Sequence, residues 1–85
     1  MKITAEISLY PIHERYNKDI FQFIEQLHAN ENILTETNVM STILTGEYDE
    51  ILTLLNYELK AVFTNQKAVC ILKLSNGCLV NGKSE

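Results

Sequence analysis

The stretch Lys2–Pro11, KITAEISLYP, has the clearest β-strand pattern in this chain, and the other elements are interpreted from it. Apolar residues occupy every second position, namely Ile3, Ala5, Ile7 and Leu9. This two-residue period is typical of a strand with one apolar and one polar face. Because Pro11 has no backbone N–H and disfavours helix at Tyr10, the strand is predicted to end there. The rest of the chain is expected to cover the apolar face or to pair with the strand's edges.

Two helices are predicted from apolar residues at helical spacing. The first begins near Asn17, whose side chain can cap a helix, and carries the stripe Ile20, Phe23, Ile24 and Leu27. The second runs from about Tyr48 to Phe63 and has a broad apolar face. That face consists of Tyr48, Ile51, Leu52, Leu55, Leu59, Val62 and Phe63.

Three further strands are predicted at Ile33–Thr37, Met40–Thr45 and Lys67–Ser75. The order βαββαβ predicts an α+β, ferredoxin-like domain over residues 1–78. It has a four-stranded antiparallel sheet in the order 4-1-3-2 and two helices on one face. Residues 79–85 are expected to be a C-terminal tail or a short return strand. Since strands one and three are then antiparallel neighbours, Leu9 should lie near residues 40–42.

Composition excludes several classes of function. The 85 residues carry a formal net charge of −4 without a Lys/Arg stripe, so nucleic acid is not an expected partner. No apolar segment approaches the roughly 20 residues that span a bilayer, and the N-terminus lacks a signal-peptide pattern, so we expect a cytoplasmic protein without membrane association. Cys70 and Cys78 are interpreted as reduced thiols, because two cysteines alone do not make a metal site.

No catalytic motif is found in the sequence. A phosphate-binding glycine loop, a nucleophile elbow, a CxxC pair and a helical histidine pair are all missing. His13 and His28 are therefore interpreted as solvated or capping side chains rather than metal ligands. We expect a protein that is not an enzyme and has neither a metal nor a cofactor.

Two polar residues on the predicted inner strands need partners. Glu6 either binds a ligand or partner chain, or forms a cross-strand ion pair with Lys73. Thr42 shares the helix-facing side of its strand with Met40 and Leu44, so its hydroxyl bonds either a backbone carbonyl or a small polar ligand between sheet and helices. In the second case the backbone of Ser8–Tyr10, freed from pairing by Pro11, supplies further donors and acceptors.

The sheet face opposite the helices is predicted to be partly apolar. Val69 and Ile71 would join Tyr10 and Ile43 there if Cys70 and its alternate neighbours face the helices. Such a mixture favours self-association through the open face or through an edge strand.

Three segments together resemble the YkoF-like family of thiamine/hydroxymethylpyrimidine-binding proteins. They are AEISLYP at Ala5–Pro11, MSTILTGE at Met40–Glu47 and LKLSNGC at Leu72–Cys78. The resemblance implies a ferredoxin-like domain that binds the aminopyrimidine part of thiamine without reacting with it, with uptake or salvage of the vitamin as the expected role.

Carried over by position, the family's ligand contacts fall on the main chain of Leu9 and on Thr42. Ser8, Tyr10 and Met40 complete the expected site, with Ile7, Met40 and Leu55 as apolar walls around the ring. Family members with two domains in tandem imply that this single domain forms a homodimer or homotetramer. The alternative is an oligomeric regulatory or scaffolding module without a small-molecule ligand.

Overall fold

The computed structural model of the protein describes residues 1–12, 17–77, 79–80 and 83–84. Its elements are β1 (Lys2–Pro11), α1 (Lys18–His28), β2 (Leu34–Thr37), β3 (Thr42–Glu47), α2 (Tyr48–Asn65), β4 (Ala68–Ser75), β5 (Leu79–Val80) and β6 (Lys83–Ser84). The interpretation of His13 and that of Cys78 lie outside the described residues.

The first four strands form one antiparallel sheet in the order β2-β3-β1-β4, and β5 pairs with β6 in a separate ladder. Read from its other edge, this sheet has the predicted order, so the ferredoxin-like α+β fold is confirmed. β1 is central, with Ile7 opposite Thr42 of β3 on one side and opposite Leu72 of β4 on the other.

The alternation in β1 fixes which side of the sheet receives the helices. Ile3, Ala5 and Ile7 are buried, while the residues between them are half-buried on the opposite side. The core joins these side chains to the middle of both helices and to β3. It consists of Ile3, Ala5, Ile7, Phe23, Leu27, Ile33, Leu44, Ile51, Leu55 and Val62.

The first helix begins as the sequence predicts. The Asn17 side chain accepts hydrogen bonds from the backbone N–H groups of Asp19, at 3.0 Å, and Ile20, at 3.2 Å. Its amide also exchanges two hydrogen bonds with the Gln66 amide, at 2.5 and 2.7 Å, just after α2 ends. The cap therefore ties the start of one helix to the end of the other.

The buried face of α2 is shorter along the helix than predicted. Ile51, Leu55 and Val62 are buried, but Tyr48 in the first turn and Phe63 in the last turn are exposed. Helical spacing places these two residues on the same side as the buried ones, yet they lie at the ends of an 18-residue helix whose buried residues lie between Ile51 and Val62.

β4 is an edge strand that the helices cover incompletely. Leu72 and Leu74 share the side of Ile7 and Ala5, as predicted, but both are exposed. Cys70 is a partly buried free thiol, and burial raises the pKa of its sulfur. No helix in the described part of the chain is long and apolar enough to cross a membrane.

Candidate functional site

A cavity of about 120 Å³ lies where α1 passes over the end of the β1–β3 ladder. Its lining comes from β1, the first half of α1 and the connection between β2 and β3. The lining residues are Ile7, Ser8, Leu9, Ile20, Phe23, Ile24, Thr37, Asn38, Val39, Met40, Ser41 and Thr42. Val39 and Met40 are strongly exposed, so the cavity opens to solvent at the β2–β3 turn.

The cavity exists because β3 is shorter than β1. The ladder between them stops at the pair Ile7 and Thr42, and β1 continues for four residues while still paired to β4. Pro11 itself lies opposite Ala68 of β4. The free edge of β1 at residues 8–10 therefore results from the late start of β3 and not, as predicted, from Pro11. Only the edge toward β3 is free, because the other edge pairs with β4.

The hydrogen-bond pattern shows which backbone groups lie on that free edge. The Met1 carbonyl accepts from the Tyr48 N–H next to β3, whereas the Ile12 N–H donates to the Lys67 carbonyl on the β4 side. Because successive residues of a strand point their backbone groups to opposite edges, odd-numbered residues of β1 face β3. The N–H and C=O of Leu9 thus point past the end of β3, and within the described residues no backbone hydrogen bond joins Leu9 to Met40.

The rim of the cavity is a turn that side chains hold in place. The Asn38 side-chain oxygen accepts from the N–H groups of Met40, at 3.0 Å, and Ser41, at 2.9 Å. The Asn38 N–H donates to the Ser41 carbonyl at 2.9 Å, and the Ser8 hydroxyl donates to the Met40 carbonyl at 3.1 Å. The opening is therefore largely preformed.

Thr42 is the buried polar group of this site. Its side chain is 3% exposed, and its hydroxyl shares a hydrogen bond of 3.0 Å with the Thr37 hydroxyl. The predicted backbone carbonyl partner is wrong, because the register sets Thr37 directly opposite Thr42. Since a hydroxyl has one hydrogen and two lone pairs, the bond to Thr37 leaves Thr42 with further capacity toward the cavity.

Four of the five residues predicted for the site line this cavity, namely Ser8, Leu9, Met40 and Thr42. Tyr10 does not line it. Tyr10 is 45% exposed, lies opposite Val69, and occupies an even position of β1 whose side chain points to the open face.

One of the three predicted apolar walls is wrong. Met40 lines the cavity from the exposed turn before β3, although it does not face the helices as predicted. Leu55 is buried in the core and lines a different depression. The third wall, Ile7, does line the cavity, and the roof is formed by Ile20, Phe23 and Ile24 of α1. The helical spacing of these three residues was visible in the sequence, but their position over the end of the ladder was not.

Glu6 lies on the other side of the sheet. It faces Lys73 across the ladder, and their charged atoms are 3.7 Å apart, so the predicted ion pair is confirmed. The Ser41 hydroxyl donates to the second carboxylate oxygen of Glu6 at 2.9 Å. Glu6 therefore supports the start of β3 from the open face and does not enter the cavity.

A larger apolar groove of about 650 Å³ runs between α2 and the edge strand β4. Exposed Phe63 and Leu72 form part of its lining. Among its described lining residues there is no buried hydroxyl. In chemical terms it is a hydrophobic surface, whereas the smaller cavity combines apolar walls with directed polar groups. Within the described residues, no cluster of three or more metal-ligating side chains is present.

The fold and the cavity define a small ferredoxin-like domain with an opening beside its central strand. No protein-family model matches the chain, and no curated protein matches it. Protein SP2199 from Streptococcus pneumoniae superposes with a TM-score of 0.82 at 21% identity, over 95% of this chain and 92% of that one. The hypothetical protein MJ1052 from Methanocaldococcus jannaschii has a TM-score of 0.75 at 27% identity, over 95% and 86% of the two chains.

A candidate thiamine biosynthesis/salvage protein from Thermotoga maritima is also similar. Its TM-score is 0.78 at 20% identity, over 95% of this chain and 91% of that one. These likenesses show a shared fold. The chain covers 92%, 86% and 91% of these three structures, so chains of similar length share this architecture.

Proposed function

We propose that the protein binds thiamine, or its hydroxymethylpyrimidine moiety, in the cavity beside Leu9 and Thr42. The observation that carries this proposal is the convergence of a free strand edge and a buried hydroxyl on one small apolar space. The similarity of the fold to a candidate thiamine biosynthesis/salvage protein supports the choice of ligand. A role in uptake or salvage of the vitamin is the corresponding cellular function.

The chemistry of an aminopyrimidine suits these groups. The ring carries an amino donor beside nitrogen acceptors, and the backbone of Leu9 offers one donor and one acceptor along the strand edge. The Thr42 hydroxyl adds a third polar contact from the opposite side of the cavity. Phe23 and Ile24 from α1 provide apolar surface for the faces of the ring.

The size of the cavity limits what part of the ligand enters. An enclosed cavity of about 150 Å³ holds one benzene molecule. This cavity measures about 120 Å³ and is open at Val39 and Met40, so it has room for one six-membered ring whose substituents reach the opening. We therefore propose that the pyrimidine ring enters and that the thiazolium ring of thiamine stays at the rim formed by Val39 and Met40. On this basis hydroxymethylpyrimidine retains most of the affinity of thiamine.

Binding without reaction is the second part of the proposal. Catalysis of acyl transfer or hydrolysis needs an acid, base or nucleophile within about 3 Å of the reacting atom. Among the described residues, those lining the cavity carry no carboxylate, imidazole, ammonium or thiol group. Their hydroxyl and backbone groups are suited to recognition.

Calorimetric titration of the protein with thiamine and with hydroxymethylpyrimidine tests the proposal. We expect saturable binding of both, with one site per chain, and no change in the ligand when the mixture is analysed by mass spectrometry. The thiazole alcohol without the pyrimidine is the matched control and should not bind. Folded protein that binds neither pyrimidine compound would refute the proposal.

We also propose that the chain self-associates as a homodimer or homotetramer. Val69 and Ile71 of β4 are each about half-exposed on the open sheet face, and β4 has an unpaired edge. The alternative function, an oligomeric regulatory or scaffolding module without a ligand, rests on the same residues. Self-association together with failure of both pyrimidine compounds to bind would favour that alternative.

A further inference from the structure

Three side chains connect the surface of the protein to the cavity. His28, in the last turn of α1, contacts the Thr37 hydroxyl through Nε2 at 2.8 Å. The Thr37 hydroxyl lies 3.0 Å from the Thr42 hydroxyl, and Thr42 lines the cavity. His28 and Thr37 are exposed, whereas Thr42 is buried. Two hydrogen bonds thus connect the exposed His28 ring to Thr42, which lines the proposed ligand site.

The direction of these bonds depends on the imidazole. Each threonine hydroxyl has a single hydrogen to donate. Neutral imidazole carries one hydrogen, on Nδ1 or on Nε2. In the tautomer with the hydrogen on Nδ1, Nε2 of His28 accepts from Thr37, so the hydrogen of Thr37 is committed. The bond between the two threonines must then be donated by Thr42, which presents only lone pairs to the cavity.

Protonation of His28 removes this constraint. Both imidazole nitrogens then carry hydrogens, and Nε2 donates to the Thr37 oxygen. The hydrogen of Thr37 is released and can be donated to Thr42. Thr42 is then free to donate its own hydrogen to an acceptor in the cavity.

We propose that His28 is a specificity-determining residue of the ligand site, because its protonation, relayed by Thr37, changes Thr42 from an acceptor into a donor toward the cavity. The inference rests on the proposed function and adds the chemistry that the site selects. With protonated His28, Thr42 favours a ring-nitrogen acceptor. With neutral His28 in the Nδ1–H tautomer it favours an amino donor, and an aminopyrimidine offers both.

The ionisable residues closest to His28 and Thr37 in the sequence are acidic, namely Glu25, Glu31 and Glu36. On α2, Asp49 and Glu50 line a depression together with Asn30, which follows α1. Within the described part of the chain, none of these carboxylates forms a salt bridge with His28. The hydrogen bond of the imidazole with Thr37 is therefore the contact through which protonation of His28 changes the hydrogen bond of Thr42.

Calorimetry with two matched probes tests the inference. One probe is the hydroxymethylpyrimidine ring without its amino group, and the other retains the amino group on a benzene ring. Affinities are compared at about pH 5.5 and about pH 8, on either side of the range in which imidazoles titrate. The proteins are wild type, His28→Gln, Thr37→Val and, as matched control, Thr35→Val, whose hydroxyl bonds the Leu27 and Ile33 carbonyls instead.

We expect wild type and Thr35→Val to bind the ring-nitrogen probe about 3- to 10-fold more tightly at the lower pH, the effect of one hydrogen bond. The two relay variants should lack this difference. Comparison with His28→Gln cancels any titration of the probe itself. An equal pH effect in wild type and His28→Gln would overturn the inference, while leaving the proposed function intact.

A measurement without ligand separates the relay from the binding site. In the nuclear magnetic resonance spectrum of the free protein, the Thr42 methyl signal should shift with pH at the same midpoint as the His28 ring signals. In Thr37→Val the His28 signals should still titrate and the Thr42 signal should not. A Thr42 methyl signal that is independent of pH in wild type would refute the relay, whether or not any pyrimidine binds.

Discussion

The Thr37 and Thr42 hydroxyl oxygens lie 3.0 Å apart, directly opposite each other at the end of the β2–β3 ladder. Thr42 is also the last residue of β3 that pairs with β1. One buried hydroxyl is thus held at the position where the central strand loses its neighbour. Within the described residues, the same local geometry leaves the Leu9 backbone unpaired on that side, so a ligand at this position would meet both groups.

Replacing Thr42 by valine tests its place in the site. Valine keeps the shape of the side chain but removes the hydroxyl, so the affinity for hydroxymethylpyrimidine should fall by about 1–2 kcal/mol in a calorimetric titration. Stability should change less, because Thr37 is exposed and can bond water instead. Thr35→Val is the matched control on the neighbouring strand and should bind as wild type does. Unchanged affinity in Thr42→Val would remove Thr42 from the list of contacts.

Replacing Glu6 by glutamine distinguishes the two faces of the sheet. Because the Glu6 carboxylate contacts Lys73 and Ser41 on the open face, we expect ligand affinity to be unchanged. Stability should change by no more than about 1 kcal/mol, since exposed ion pairs contribute little. Urea denaturation and the same titration check both statements. A marked loss of affinity would mean that the ligand binds on the open face.

Ile71 provides a test of self-association. Its side chain is 50% exposed and lies opposite Ser8, on the face away from the helices. Introducing a charge with Ile71→Glu should shift the molar mass measured by light scattering toward that of one chain, because a buried unpaired carboxylate is strongly unfavourable. Tyr57→Glu, on the exposed surface of α2, is the matched control and should leave the molar mass unchanged. Equal masses for Ile71→Glu and wild type would exclude this face as the contact.

Glu58 is expected to make the free energy of unfolding depend on pH. Partial burial on α2 raises the pKa of its carboxyl above the usual value, so folding penalises the ionised form. Its contribution to stability is therefore largest at acidic pH and is lost as the pH rises through the pKa of the folded state. We expect Glu58→Gln to gain stability over wild type between about pH 4 and pH 7 in urea denaturation. A difference that is constant with pH would contradict this reasoning.

The sequence predicts the fold because each element has an independent local pattern. Alternation in β1 and helical spacing in α2 indicate their apolar faces, and the side chain of Asn17 caps α1 where the pattern requires it. The register of the central strands follows from the topology, which is why Leu9 and Thr42 could be placed together. The prediction that Met40 faces the helices was wrong, because the alternation of Met40, Thr42 and Leu44 was extended through a turn.

The sequence did not show which side-chain contacts form within the β2–β3 turn and between elements. The Asn38 side chain bonds the N–H groups of Met40 and Ser41, and this local competition with the ladder delays the start of β3. The contact of His28 with Thr37 depends on how α1 crosses β2, for which no period in the sequence gives a signal. The cavity arises from the late start of β3 and from the position of α1 over it, so its shape follows from the packing and not from any motif.

The link between Asn17 and Gln66 leads to a prediction on stability. Asn17 is 8% exposed, caps α1 and exchanges two hydrogen bonds with the Gln66 amide. Asn17→Ala should therefore lower the free energy of unfolding by about 1–3 kcal/mol, combining a lost cap with an unpaired, partly buried amide. Asn30→Ala is the matched control, because it removes one local hydrogen bond to the Asn32 N–H in an exposed turn.

In a double-mutant cycle of Asn17→Ala with Gln66→Ala, the coupling energy measured by urea denaturation should be about 0.5–1.5 kcal/mol. Additive effects of the two substitutions would show that the cap acts on α1 alone and does not join the two helices.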